Sequence, residues 1–113
     1  MQREFKGIWI PKELWLLKDL SLVEKVMLVE IDILDNEDGC YATNKYFAKF
    51  FGFSRGHVSK IINNLVKRGF LTSKIEYQSE TKTVKKRFLK ISRWFKKEIK
   101  VSDFEEVENN GEK

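Results

Sequence analysis

The sequence is poor in the residues that carry most small catalytic or cross-linked folds. Among its 113 residues there is one cysteine, Cys40, and one histidine, His57. A lone cysteine excludes a disulfide framework, and with a single histidine it excludes a zinc site of the usual ligand types. A histidine-based triad would have to be built around His57 alone. An unpaired thiol fits a reducing, cytoplasmic compartment. One proline and six glycines leave no linker of any length, so the chain is expected to form one domain. Residues 1–6 lack the apolar h-region of a signal peptide. No apolar run approaches the ~18–20 residues of a membrane span, so no membrane partner is expected. There is no glycine-rich phosphate loop, no nucleophile motif and no acid/base pair beside a metal-ligand set. The sequence therefore reads as a non-enzyme without cofactor or metal.

What is present is apolar material and an uneven charge. Hydrophobic residues make up 42% of the chain and include nine phenylalanines, enough for one small core. The formal net charge of +5 conceals a pattern. Residues 1–39 carry five basic and nine acidic side chains, residues 40–100 carry 16 basic and three acidic, and residues 101–113 carry one basic and five acidic. A strongly cationic central block in a nearly balanced chain points to a polyanion as partner.

Residues 5–17, FKGIWIPKELWLL, are too apolar for a solvated arm. Ile8-Trp9-Ile10 suggests a short strand, and Pro11 suits the first position of a short helix. Ser21 with Glu24 forms a capping box opening a helix whose apolar positions run nearly all round it, as expected at the centre of a small domain. The carboxylates Glu24, Glu30, Asp32 and Asp35 read as solvated. The turn Asp35–Gly39 resembles a calcium loop only superficially, because Leu34 and Lys45 occupy the positions where that loop needs Asp and Glu. Cys40-Tyr41-Ala42 fits a minimal strand. Thr43 then caps a helix over 44–51 whose aromatic face, Tyr46, Phe47, Phe50 and Phe51, reads as core. Gly52 ends it and Ser54 caps a third helix over about 55–68.

The third helix buries Val58, Ile61, Ile62, Leu65 and Val66, an i, i+3, i+4, i+7, i+8 stripe. Its opposite side presents Lys60, Asn63 and Lys67, with His57, Ser59 and Asn64 on the shoulders, and the helix contains no acid. Beyond Gly69, alternating residues around 70–77 and 84–92 flank a polar tip and predict a β-hairpin. The order of elements gives an α+β, mainly α fold: a winged helix-turn-helix with a three-helix core and a C-terminal β-hairpin wing. Residues 1–20 form a packing arm of strand and short helix, and residues 21–92 the winged helix-turn-helix. Residues 93–101, RWFKKEIKV, are a basic aromatic extension, and residues 102–113 an acidic, disordered tail.

The stretches FKGIWIPKELWL, LVEIDILDNEDGCYATNKYFAKFFGFS and RGHVSKIINNLVKRGFL carry a resemblance. On them, residues 5–92 resemble the helix-turn-helix domain at the start of phage and plasmid replication proteins of bacteria. The third stretch is common to many winged helices, transcription repressors among them. The resemblance implies double-stranded DNA as ligand and a role in replicating a mobile element or regulating it. Such relatives often continue into a longer C-terminal part, whereas this sequence stops soon after the wing. A small repressor and a winged-helix protein-interaction module remain the alternatives, with a homodimer and replication-machinery proteins as further candidate partners. By position, Ser54 and Arg55 favour phosphate at the helix start. His57, Ser59, Lys60 and Asn63 are placed for groove contacts, and Asn64 and Lys67 lie beside them. Thr43, Asn44 and Lys45 suit phosphate, and Lys82, Lys85, Lys86 and Arg87 are the wing candidates.

Overall fold

A computed structural model describes residues 4–77 and 84–92, and within the second stretch the side chains of residues 86–92. The expectations for 93–101, for the tail 102–113 and for the hairpin tip with Lys82 lie outside the described residues. Four helices precede a hairpin: α1 (Lys12–Trp15), α2 (Leu22–Ile33), α3 (Asn44–Phe51), α4 (Arg55–Lys67), β1 (Leu71–Tyr77) and β2 (Val84–Ile91).

Local signals set the helix ends. The Ser21 hydroxyl accepts from the Glu24 amide (3.1 Å), and the Glu24 carboxylate accepts from the Ser21 amide (2.8 Å), which completes the capping box of α2. Thr43 caps α3 and Ser54 caps α4 in the same way, each hydroxyl accepting from the amide three residues on. Gly52 takes the left-handed conformation (φ 75°, ψ 33°) that ends α3 and turns the chain into α4. A second glycine is fixed by contact as well as by φ. At Gly39 (φ 115°) a Cβ would lie 3.1 Å from the Leu89 carbonyl oxygen and 3.3 Å from the Phe88 Cβ.

The core is a single cluster. Met27, Leu28 and Ile31 of α2 meet Phe47 of α3, Val58, Ile62 and Leu65 of α4, and Leu71, Leu89 and Ile91 of the hairpin. β1 and β2 pair antiparallel, with Leu71 opposite Ile91 and Ser73 opposite Leu89, and with a register shift at Glu76/Tyr77. Cys40 adds one bridge to Leu89, through bonds of 2.7 and 2.8 Å between the two backbones. This is a mainly helical core followed by a two-stranded antiparallel hairpin, the architecture of a winged helix-turn-helix.

Two sequence expectations need correction. Residues 8–10 form no strand, and Trp9 is 82% exposed. The described strands accept only Cys40 as a further partner, so the arm is held by side chains instead: Leu14 is buried and Ile10 and Leu17 pack on the core. Phe5 meets Phe50 edge-on at 5.5 Å. Lys25, itself buried, donates to the Trp15 carbonyl and lies 5.0 Å from the Trp15 ring centre. The second correction concerns Glu30, which is buried rather than solvated and accepts a 2.6 Å hydrogen bond from the Tyr46 hydroxyl. A helix surrounded by other elements has no solvated side at that position, so the aromatic face of α3 supplies the donor. Glu24, likewise, pairs with Arg68 at 2.9 Å.

Tyr46→Phe should therefore destabilise the fold by about 1–3 kcal/mol, because it removes a donor from a buried carboxylate. Urea unfolding measures this, and a change within ~0.5 kcal/mol would mean that the remaining contacts of Glu30 satisfy it. Burial also pushes the Cys40 thiol pKa up, against the opposing effects of the Ala42 backbone and the Arg87 charge. A raised pKa means less thiolate at any given pH. Near pH ~8 a disulfide reagent should label native Cys40 slowly and the urea-unfolded chain rapidly. Equal rates would show the thiol to be accessible.

Candidate nucleic-acid interface

The buried stripe of α4 sets which side chains it turns outward. Val58, Ile62 and Leu65 are buried, Ile61 and Val66 pack at the edges, and Arg55, His57, Lys60, Asn63, Asn64 and Lys67 are exposed. Ser59 is partly buried on the shoulder. Arg55, His57, Lys60, Asn63 and Lys67 thus share the outer surface of one helix, and α4 has no acid to oppose them.

Within this surface the side chains are not equally free to act. The Asn64 amide oxygen accepts from Arg68 (3.1 Å), and the same Arg68 donates to Glu24 (2.9 Å) and to the Asp19 carbonyl. Arg68 also stacks 5.3 Å from the Phe70 ring centre. Asn64 is therefore part of a brace between the end of α4 and the start of α2. Asn63 makes only a long contact, its amide nitrogen 3.4 Å from the Ser59 hydroxyl. The His57 ring lies 4.2 Å from the Phe53 ring, which stacks in turn on Phe51 at 5.4 Å. Aromatic packing gives His57 a fixed place on the first turn of α4.

At the starts of α3 and α4, Thr43 and Ser54 use their oxygens as caps, which leaves the hydroxyl hydrogens and the first helical amides to face an anion. Lys45 is exposed there. Asn44 and Arg87 bind one another instead: the Arg87 guanidinium donates to the Asn44 amide oxygen (2.6 Å) and to the Ala42 carbonyl (2.9 Å). Burial pushes the Arg87 pKa below its ordinary value, with Cys40 opposing the shift. A guanidinium starts so high that it stays charged. These contacts tie the wing to the first residues of α3, beside an open hollow of about 570 Å³ that Lys86 and Tyr41 also line.

The sequence held a signal for this. Arg87 alternates in phase with Leu89 and Ile91, so it faces inward with them, while Lys86 and Lys90 face outward. Lys86 is exposed, with its ammonium 4.9 Å from the Tyr41 ring centre. The side chain of Lys85 and all of Lys82 lie outside the described residues. The same alternation adds Lys74 and Lys90, exposed on the face of Lys86 and absent from the sequence-based set. Lys49, exposed near the end of α3, is a further addition.

The sequence profile of the helix-turn-helix domain matches residues 24–71. The match runs from the first turn of α2 through α3 and α4 to the first residue of β1. Neither a curated protein nor a solved structure gives a significant match to the chain. A helix-turn-helix domain implies DNA binding, with α4 in the position of the recognition helix. Among the described residues, no group of three or more His, Cys, Asp or Glu converges, and no helix is long and apolar enough to cross a membrane.

Arg87→Ala should lower stability by about 1–3 kcal/mol, since it strips the donor from Asn44 and from the Ala42 carbonyl. Lys86→Ala, one residue away on the outer face, should stay within ~0.5 kcal/mol of the parent. Denaturant titration of both variants decides it. Equal stability of the two would show that Arg87 does not brace the wing.

Proposed function

We propose that this chain binds double-stranded DNA sequence-specifically as a winged helix, with α4 in the major groove and the hairpin alongside. The observation that carries the reading is the outer face of α4, where exposed Arg55, His57, Lys60, Asn63 and Lys67 meet no acid of their own helix. A major groove about 12 Å wide admits such a helix, and these side chains match its donors, acceptors and flanking phosphates. Asn63 is the candidate for a bidentate contact to adenine and Lys60 for guanine, with Ser59 at their shoulder. Arg55, Lys67, Lys45 and the helix starts at Thr43 and Ser54 serve phosphates. Lys86 extends the contact through the wing. Asn64, Asn44 and Arg87 act mainly by holding the parts in place.

The resemblance of residues 5–92 to the N-terminal domains of phage and plasmid replication proteins supports a DNA site in a mobile element's origin. Such a protein works on cytoplasmic DNA, alone, as a homodimer, or with replication-machinery proteins. A repressor of the same element would use the same face. Selection of bound sites from a random duplex pool separates these roles. Directly repeated sites fit an origin, a palindrome fits a dimeric regulator, and no enrichment refutes sequence-specific reading.

Binding should weaken with salt, with a log–log slope of roughly −0.9 per phosphate neutralised. Arg55→Ala should reduce that slope by about one contact. Lys60→Ala combined with Asn63→Ala should abolish the preference for the selected site and leave weak nonspecific binding. Competition binding at two salt concentrations measures both effects. Full specificity in the double variant would remove α4 as the reading element.

A further inference from the structure

Away from α3 and α4, the arm, α2 and the end of β2 bound an open groove of about 440 Å³. Val29, Ile33 and Ile91 belong to its apolar lining, and Trp9 stands on one lip. Its charged lining residues, Glu13 and Asp32, are both acidic. Ile33 is 47% exposed and Trp9 82%, so this face keeps large apolar side chains in water. Ile8, next to Trp9, is exposed as well. The face thus carries a hollow that accepts an aromatic side chain and, at its lip, an aromatic side chain that stands in water.

We infer that the groove is a self-association site whose occupant is Trp9 of a second copy of this chain. Two-fold pairing makes one surface patch meet itself, so the patch must hold both a projection and the recess that receives it. Trp9 and the groove meet that demand. The charges are complementary too. Within residues 6–12, around Trp9, the charged side chains are Lys6 and Lys12, both exposed. Insertion of the indole carries these cations toward Glu13 and Asp32 of the other copy. The area fits a reversible dimer. Two indoles bury roughly 300–500 Å² in all. Ile8 and Ile33 of each copy raise the contact toward the ~1,000 Å² of a small specific interface. A buried aromatic anchor at the centre of such a contact carries much of its binding energy. The groove's lining comes from the arm, α2 and β2, so pairing there leaves the outer face of α4 open. Self-association needs no DNA and stands or falls separately from DNA binding.

Sedimentation of the full chain without DNA, over a range of protein concentrations, tests this. The parent should be a dimer at ~100 μM and dissociate on dilution toward ~1 μM. Trp9→Ala should weaken the dimer about thirtyfold. Because Trp9 is so exposed, this variant should keep the parent's fold, which its thermal midpoint checks. Glu13→Lys, also at an exposed position, should weaken the dimer several-fold at low salt and less at high salt, because it sets like charges together. Tyr77→Ala removes another exposed ring, on the wing, and should change nothing. A parent that stays monomeric at ~100 μM overturns the inference. So does a dimer indifferent to Trp9→Ala, and so does equal weakening by Tyr77→Ala, which would mark general stickiness of exposed rings.

Discussion

The outward face of α4 is positioned by the burial of one stripe of the same helix. Val58, Ile62 and Leu65 lie against α2, α3 and the hairpin, with essentially no contact with water. A helix that buries residues three and four apart has no freedom to rotate about its axis without exposing them. The polar side of α4 is therefore fixed in direction by apolar contacts on its other side. Capping by Ser54 fixes where the helix begins, and the left-handed Gly52 fixes the angle at which α3 delivers it. The direction in which those polar side chains point depends on this core as much as on the side chains themselves.

Cations serve two purposes in the molecule, and burial separates them. Lys25, Arg68 and Arg87 are partly or wholly buried and spend their donors on backbone carbonyls, Asn64, Glu24 and Asn44. Each joins separate elements: α1 to α2, α4 to the start of α2, and the wing to α3. Arginine suits the second and third of these joints because its planar fork holds several acceptors at once. Lys45, Lys60, Lys67, Lys86 and Lys90, by contrast, remain exposed. A flexible ammonium in water costs little to hold in reserve for a phosphate.

Much of this was legible in the chain itself. Ser21, Thr43 and Ser54 announced helix starts that the structure matches, and the period of Val58, Ile62 and Leu65 identified the inner side of α4. The hairpin and its inward Leu89 and Ile91 followed from alternation. The strand expected at Ile8–Ile10 failed because apolar density is common to strands and to arms held by packing, and strand pairing is a long-range event. Glu30 reads as solvated from the sequence because nothing local to α2 signals that this carboxylate will meet a hydroxyl sixteen residues later. Charge alone groups Arg87 with the wing lysines, whereas its phase with Leu89 places it inside.

The sequence by itself determined the order of elements, the acid-free face of α4 and the concentration of positive charge between residues 40 and 100. Those are properties of composition and short-range period, which each segment carries alone. Only the tertiary structure decided which polar groups brace the fold and which are left to meet a ligand. That choice depends on distances between residues remote in sequence: Arg87 with Asn44, Arg68 with Glu24 and Tyr46 with Glu30. A hydrogen bond inside the fold exists only once packing has removed water and brought its two ends together.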